Sequence, residues 1–397
     1  MAKTYHLQKQ KHYARNYQDL RKGWDDNLEP LKPLDVNKIK NFSDMAEAMS
    51  QTAFGGRIVG EAVDTLVAMN KDKAAFTVMT VAGAMTVAKM GLLICEMIDR
   101  GMVQALVVTG ALMAHGLAEA AGMTHFKAPQ DMSDDEMYLA GYDRVYDTVE
   151  LEKNLDDTEE ILFEILEGIP EEKVLSSRLI TEEIGKYLVK NSVHRGVLKS
   201  AYLKGVPVYV PAFTDSELGL DLGMYNRARV KKGLPPRRYD PLIDLEHYTK
   251  LIWRQKKLGI FTIGGGVPRN FAQQVGPFTD LVHQRGLDSP EDTGKRTNGK
   301  KTYQPVMFTY GLRICPEPVY WGGLSGCTYS EGVSWGKFVP EKMGGRFAEV
   351  PSDATIIWPF ILKAALERLK VKDMRKKVKS GKKVIKEIDD QIMVNYK

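Results

Sequence analysis

The sequence predicts an α/β fold: a doubly wound, mostly parallel sheet with helices on both faces. Three observations predict it. Short apolar, β-branched runs recur along the chain, and each is followed by a glycine or a polar cluster. Helical segments separate these runs, as in βαβ units. The runs also lack apolar–polar alternation, which suits strands buried on both faces.

The elements follow in order. Residues 1–50 are polar, with Tyr13, Tyr17 and Trp24 as isolated anchors and Pro30 and Pro33 marking an extended arm. A helix capped by Ser43 is expected to run to about Thr52, and a second to cover 57–70. Residues 75–81 form the first buried strand, ended by Gly83. Residues 85–100 are helical and close at Arg100-Gly101. The run 103–108 is the second strand, ending in Thr109-Gly110-Ala111, with a helix over 112–121. Strand, helix and strand here make a unit whose crossover should be right-handed.

Residues 124–153 read as irregular and acidic. Asp156 to Glu160 opens a helix with carboxylates at its positive end. Further helices are expected over 181–189 and 194–204. The third strand is 208–210, with Pro207 at its entry. A polar cluster follows, Thr214-Asp215-Ser216-Glu217-Leu218-Gly219. Residues 224–243 read as a basic surface excursion, then a helix over 244–257. Residues 258–263 make the fourth strand, followed by Gly264-Gly265-Gly266-Val267-Pro268. Three glycines after a strand, with proline entering a helix, predict an anion- or cofactor-facing turn. A plain tight turn is the simpler reading, since the GxGxxG pattern is absent. Residues 285–303 read as a mobile loop. Strands over 306–310 and 347–350 and an apolar helix over 354–369 complete the body. In a doubly wound sheet, the tips after the last five strands would share one edge and one composite site.

The stretch from Gly322 to Lys337 concentrates five glycines, Glu331, Trp335 and Lys337 in sixteen residues. A lysine beside an indole and a carboxylate can serve as an amine nucleophile if its pocket keeps it partly neutral. The competing reading is a solvated lysine at the end of a glycine-rich turn.

Composition narrows the class. The chain has 397 residues, is 43% hydrophobic and carries a net charge of +5. Cys95, Cys315 and Cys327 are too scattered for a disulfide framework, which predicts a cytoplasmic protein. The seven histidines contain no His-x-x-x-His pair, so no metal site is expected. No run is long and unbroken enough to span a membrane. The lysine-rich segment 370–386 reads as a solvated helix or tail. It has no interleaved aromatics, so no nucleic-acid binding is expected. The expected organisation is an arm and helix over 1–55, a catalytic domain over 56–370 and a basic tail over 371–397.

Ser330-Glu331-Gly332-Val333-Ser334-Trp335-Gly336-Lys337 resembles the catalytic-lysine motif of the deoxyhypusine synthase family. Thr214-Asp215 with Leu218-Gly219, the glycines 264–266 and Ser352-Asp353-Ala354 fall in the family's order, and the resemblance covers about 60–370. It implies a Rossmann-like homotetramer that uses NAD to oxidise spermidine. A four-carbon amine fragment is then held as an imine on the motif lysine and passed to an acceptor amine. In eukaryotes and archaea that acceptor is a lysine of translation factor 5A. By position, Lys337 would be the nucleophile. Glu331, Trp335, Asn270 and His115 would face the polyamine substrate. Thr109, Asp215, Gly265, Asp353 and Ala354 would contact NAD.

The departures concern charge. The family's aspartates are replaced by Leu220 (with Asp221 one step late), Leu324 and Trp321. Asn270 stands for a histidine and His115 for a glutamate. The resemblance therefore leaves the substrate open. The acceptor is a protein lysine or a small amine, the latter giving a homospermidine-type transfer. A non-catalytic NAD-binding relative is the remaining alternative.

Overall fold

The computed structural model describes residues 17–288, 303–369 and 384–392. Its centre is a six-stranded, all-parallel sheet. The strands are β1 (Ala75–Val81), β2 (Ala105–Val108), β6 (Val208–Tyr209), β7 (Lys257–Ile263), β8 (Phe308–Ile314) and β9 (Arg346–Val350). Their order is β6-β2-β1-β7-β8-β9. The chain thus builds outward from β1 in one direction and from β7 in the other. The switch point lies between these two, which pair in parallel over their full length.

The doubly wound expectation holds, because both faces are covered. Met79, Val81, Phe261, Ile263, Leu312 and Ile314 face one core. Helices α2 (Phe54–Lys71), α3 (Gly91–Asp99), α4 (Gly110–Ala121) and α13 (Ala354–Arg368) pack on that side. Val78, Val107, Tyr209, Leu258 and Ile260 face the other, against α10 (Leu242–Trp253) and α11 (Gly266–Gln284). The alternation comes from the period of two along a strand. A buried Phe such as Phe261, packed against Trp358 at 6.1 Å, contributes about 2–3 kcal/mol.

Helix α1 (Phe42–Ser50) begins one residue before the expected cap, and its own cap lies two residues before it. Asn41, not Ser43, accepts the Asp44 N–H, at 2.8 Å. Helix α2 starts at Phe54, so Gly55 and Gly56 open the helix instead of breaking it. Gly60 lets α1 and α2 touch, since a β-carbon there would come 2.4 Å from the Ser50 nitrogen.

Two segments differ from expectation. Residues 124–153 are not irregular. They form β3 (Phe126–Lys127), α5 (Asp134–Leu139), β4 (Tyr142–Val145) and β5 (Thr148–Leu151), an antiparallel sheet in the order β3-β5-β4. Its outer strands are short and exposed, so the sequence shows no buried run. Residues after 216 are also helical: α9 (Glu217–Lys231) starts with Ser216 as its cap. Helices α6 (Glu152–Glu167), α7 (Ser177–Asn191) and α8 (Val197–Lys204) lie where expected, the first two longer than expected and α8 starting three residues later.

The loop expected over 285–303 and the lysines of 370–383 lie largely outside the described residues. Residues 384–392 form a helix, here α14. It is docked, not solvated: Ile388 and Ile392 are buried. Asp389 takes a 2.6 Å hydrogen bond from Arg178 and lies 3.3 Å from His247 Nε2.

Candidate active site

Parallel strands send all their C-terminal tips to one edge, where open α/β sheets bind ligands. The tip of β7 is the turn Gly264–Gly265–Gly266 at the switch point. Gly264 and Gly266 have φ of +71° and +55°, conformations that favour glycine. Gly265 has no room for a side chain, because a β-carbon would lie 2.4 Å from Ser325 Cα. The Gly266 N–H donates to Ser325 Oγ at 3.1 Å. The triple glycine therefore seats the glycine-rich segment that leads to Lys337.

Helix α12 (Tyr329–Ser334) carries that segment onward. Thr328 caps it by accepting the Glu331 N–H at 3.0 Å. Gly336, at φ +68°, ends it and turns the chain back, so that the Lys337 N–H reaches the Gly332 carbonyl at 3.0 Å. The Phe308 N–H then donates to the Lys337 carbonyl at 2.9 Å, fixing the lysine to the start of β8. Beneath it, Tyr329 stacks on Phe347 and Phe338 meets both rings edge-on, with centroids 4.8–5.5 Å apart. Gly276 of α11 presses on the same backbone; its β-carbon would lie 3.8 Å from Lys337 Cα.

Lys337 is half-buried, with Nζ 5.7 Å from the centre of the Trp335 ring. Its pKa is lowered, first by burial and then by the charge of Arg269; Cys327 and Glu331 pull the other way. An amine so placed is more readily neutral and more nucleophilic. Trp335 flanks the lysine but is 63% exposed, so the indole wall is open to solvent in a single chain. Cys327 is half-buried and its thiol is pushed up by burial, which suits a small filler.

Arg269 was not singled out in the sequence. It is 2% exposed, lies 5.4 Å from the Tyr329 ring and contacts the Leu324 carbonyl at 3.5 Å. Its neighbour Arg313 is paired with Glu349 and the Ser325 carbonyl. Glu349 also accepts the Tyr329 N–H at 2.9 Å.

The remaining predicted residues spread along the edge. Thr109 follows β2 and donates to the Gly83 carbonyl at 3.0 Å. Asp215 is exposed after β6. Asp353 caps α13 by accepting the Thr355 N–H at 2.6 Å, and Ala354 is buried behind it. Strands β6 and β9 are the outermost pair, five spacings apart, or about 24 Å. Asp215 and Asp353 thus lie at opposite ends of the edge, and only an extended ligand or a second chain would bridge them. Asn270 is half-buried in the first turns of α11.

His115 is 7% exposed on α4. Its Nδ1 lies 2.9 Å from Glu150 Oε2, and its Nε2 lies 4.0 Å from Glu217 Oε1. Glu217 and Asp221 share α9. Asp221 is pushed up to about 7 by burial and by the charges of Glu159 and Glu217. Leu220, Leu324 and Trp321 are exposed. The α9 carboxylate that faces α4 is Glu217, with Asp221 one turn further along the same helix. Glu150 also meets His125, a grouping that no local spacing announced.

The site is an α/β sheet edge with a glycine-rich strand tip and, beside it, a half-buried lysine of lowered pKa. The deoxyhypusine synthase family model matches residues 44–365. A protein of Methanosarcina mazei named "Probable deoxyhypusine synthase 2" is 31% identical over 340 residues, 85% of this chain and 90% of its own. A "Deoxyhypusine synthase-like protein" of Chlorobaculum parvum is 32% identical over 340 residues, 84% of this chain and 88% of its own. A solved chain from Entamoeba histolytica, itself described as a candidate deoxyhypusine synthase, superposes with a TM-score of 0.52 at 12% identity. That match covers 85% of this chain and 97% of the other and speaks for the fold. The chain belongs to the deoxyhypusine synthase family. Among the described residues, no helix is long and apolar enough to cross a membrane.

Proposed function

We propose that this chain is an NAD-dependent aminoalkyl transferase acting on spermidine or a related polyamine through an imine on Lys337. The observation that carries the reading is Lys337 itself, half-buried beside Trp335 and Glu331 with its pKa lowered mainly by burial. Family membership over residues 44–365 supports it.

The ligand edge would take a dinucleotide at the positive end of the nineteen-residue α11, beside the turn where Ser325 covers Gly265 and accepts the Gly266 N–H. Thr109, Asp215, Gly265, Asp353 and Ala354 would hold NAD along it. Bound there, NAD would supply the hydride acceptor for the carbon beside the secondary amine of spermidine and the hydride donor for the product.

Lys337 does the covalent work. Neutral Nζ attacks the oxidised carbon, the bond to the three-carbon amine breaks, and propane-1,3-diamine leaves with the proton. The four-carbon fragment stays on Lys337 until an acceptor amine takes it and frees the lysine. Glu331 would pair with an ammonium of the polyamine, and Trp335 would cover its methylenes. Asn270 and the free Nε2 edge of His115 would contact the chain further on. The exposed Tyr320–Trp321 step beside the site supports assembly with other copies, and we place the enzyme in the cytoplasm as a homotetramer.

The test is NAD-dependent release of propane-1,3-diamine from spermidine by purified protein. Release is expected, and faster with an acceptor from a panel holding a lysine-bearing protein and small amines such as putrescine. Release with no dependence on NAD, or from none of the donors, would reject the reading. A preference for putrescine would identify the homospermidine-type transfer.

A further inference from the structure

We propose that His115, His125 and Glu150 form a site for a divalent transition-metal ion of the zinc class. His115 is the one residue shared with the proposed polyamine site, and the inference does not rest on that reading. The three residues come from α4, the segment after it and β5, so the fold alone brings them together. They are 7%, 6% and 1% exposed. Their donor atoms lie within 4.8 Å of one another.

The carboxylate is oriented for one ligand bond. Glu150 Oε1 is already used: it accepts the Asn154 side-chain N–H at 2.6 Å and the Leu151 N–H at 3.0 Å. That leaves Oε2 turned towards both imidazoles, with His115 Nδ1 at 2.9 Å and His125 Nε2 at 2.5 Å. The second contact is close but poorly aligned for a hydrogen bond. The three donor atoms converge at hydrogen-bonding distance, and a cation would enter by spreading them to metal–ligand distances and replacing the two N–H contacts. Two histidines and a carboxylate are a zinc-type donor set, with a fourth position for water.

The surroundings fit as well. When His115 binds through Nδ1, its Nε2–H faces Glu217 Oε1 at 4.0 Å, the carboxylate partner that ligating histidines commonly have. Lys89 is the opposing feature. Its Nζ lies 2.8 Å from His125 Nδ1, which must carry a proton once Nε2 binds metal. Lys89 also pairs with Glu119 at 2.9 Å, and loading the site would leave it wholly with that partner. A bound ion would fasten the small antiparallel sheet to α4.

The test uses the full chain, stripped with chelator and dialysed against Zn2+, with bound metal measured by mass spectrometry. One ion per chain is expected. Glu150→Gln and His125→Gln should each weaken uptake by about 100-fold or more. Lys89→Met should tighten it, because a competing ammonium is gone. Co2+ should give a visible ligand-field spectrum that Zn2+ displaces. Substoichiometric uptake by the unaltered chain, or uptake unchanged in both ligand variants, would overturn the proposal. Should those variants fail to fold, the Co2+ spectrum and the Lys89→Met affinity still decide: a featureless spectrum or no gain in affinity rejects the site.

Discussion

Gly265 and Ser325 meet so closely that a β-carbon on the first would lie 2.4 Å from the Cα of the second. This contact joins the tip of β7 to the segment that leads into the Lys337 helix. Gly265→Ala should push that segment away, at a cost of about 1–3 kcal/mol. Calorimetry should show a lower melting temperature, and NAD titration an affinity at least several-fold weaker. An alanine variant with native melting and native affinity would show that the contact is dispensable.

Arg269 should act on Lys337 through charge. Its guanidinium helps lower the lysine pKa, so Arg269→Gln should raise it and leave less neutral amine near pH 7. Reductive trapping of a simple aldehyde on Lys337, followed against pH, should move to higher pH and be slower at neutrality. Glu331→Gln should move the profile the other way, since Glu331 favours the charged lysine. Identical profiles in all three proteins would remove both residues from the account.

Asp221 should make stability fall as pH rises. Its folded pKa is raised from 3.8 to about 7, so between those values the folded chain holds a proton that the unfolded chain has lost. Its stabilising share is complete below pH 4 and gone above pH 7. Asp221→Asn should therefore be more stable than the parent at pH 8, by about 1–3 kcal/mol, and little different at pH 4. Urea titrations at the two pH values check this.

The docked C-terminal helix should matter for stability. Asp389 faces the largely buried Arg178 side chain and the fully buried His247, and Glu182 is the other carboxylate on that guanidinium, at 2.9 Å. Asp389→Ala should cost about 2–4 kcal/mol, because breaking a buried pair strands its partner. Truncation after residue 383 should cost at least as much, through the lost burial of Ile388 and Ile392. Thermal melts of both variants test whether this segment belongs to the folded body.

The parallel sheet was legible because its strands are continuous apolar runs with glycine or polar tips. Lys337, Glu331 and Trp335 were legible because they sit within seven consecutive residues. Arg269 was hidden: a buried arginine under a loop looks like any helix-surface arginine until the turn at 264–266 folds. His115, His125 and Glu150 were hidden for a similar reason, since their spacing of 10 and 25 residues matches no local ligand pattern. The antiparallel sheet of 126–151 was missed because its outer strands bury nothing. Helix α9 was missed because its mixed charges and glycines mask a buried stripe of Leu218, Leu222 and Tyr225.

The central claim is that Lys337 carries the transferred group. The direct measurement is borohydride reduction of the full chain with spermidine and NAD, followed by peptide mass mapping. The account predicts an aminobutyl adduct on Lys337, absent without NAD and absent in Lys337→Ala. An adduct at another lysine, or a Lys337→Ala protein that still transfers the aminobutyl group, would contradict it.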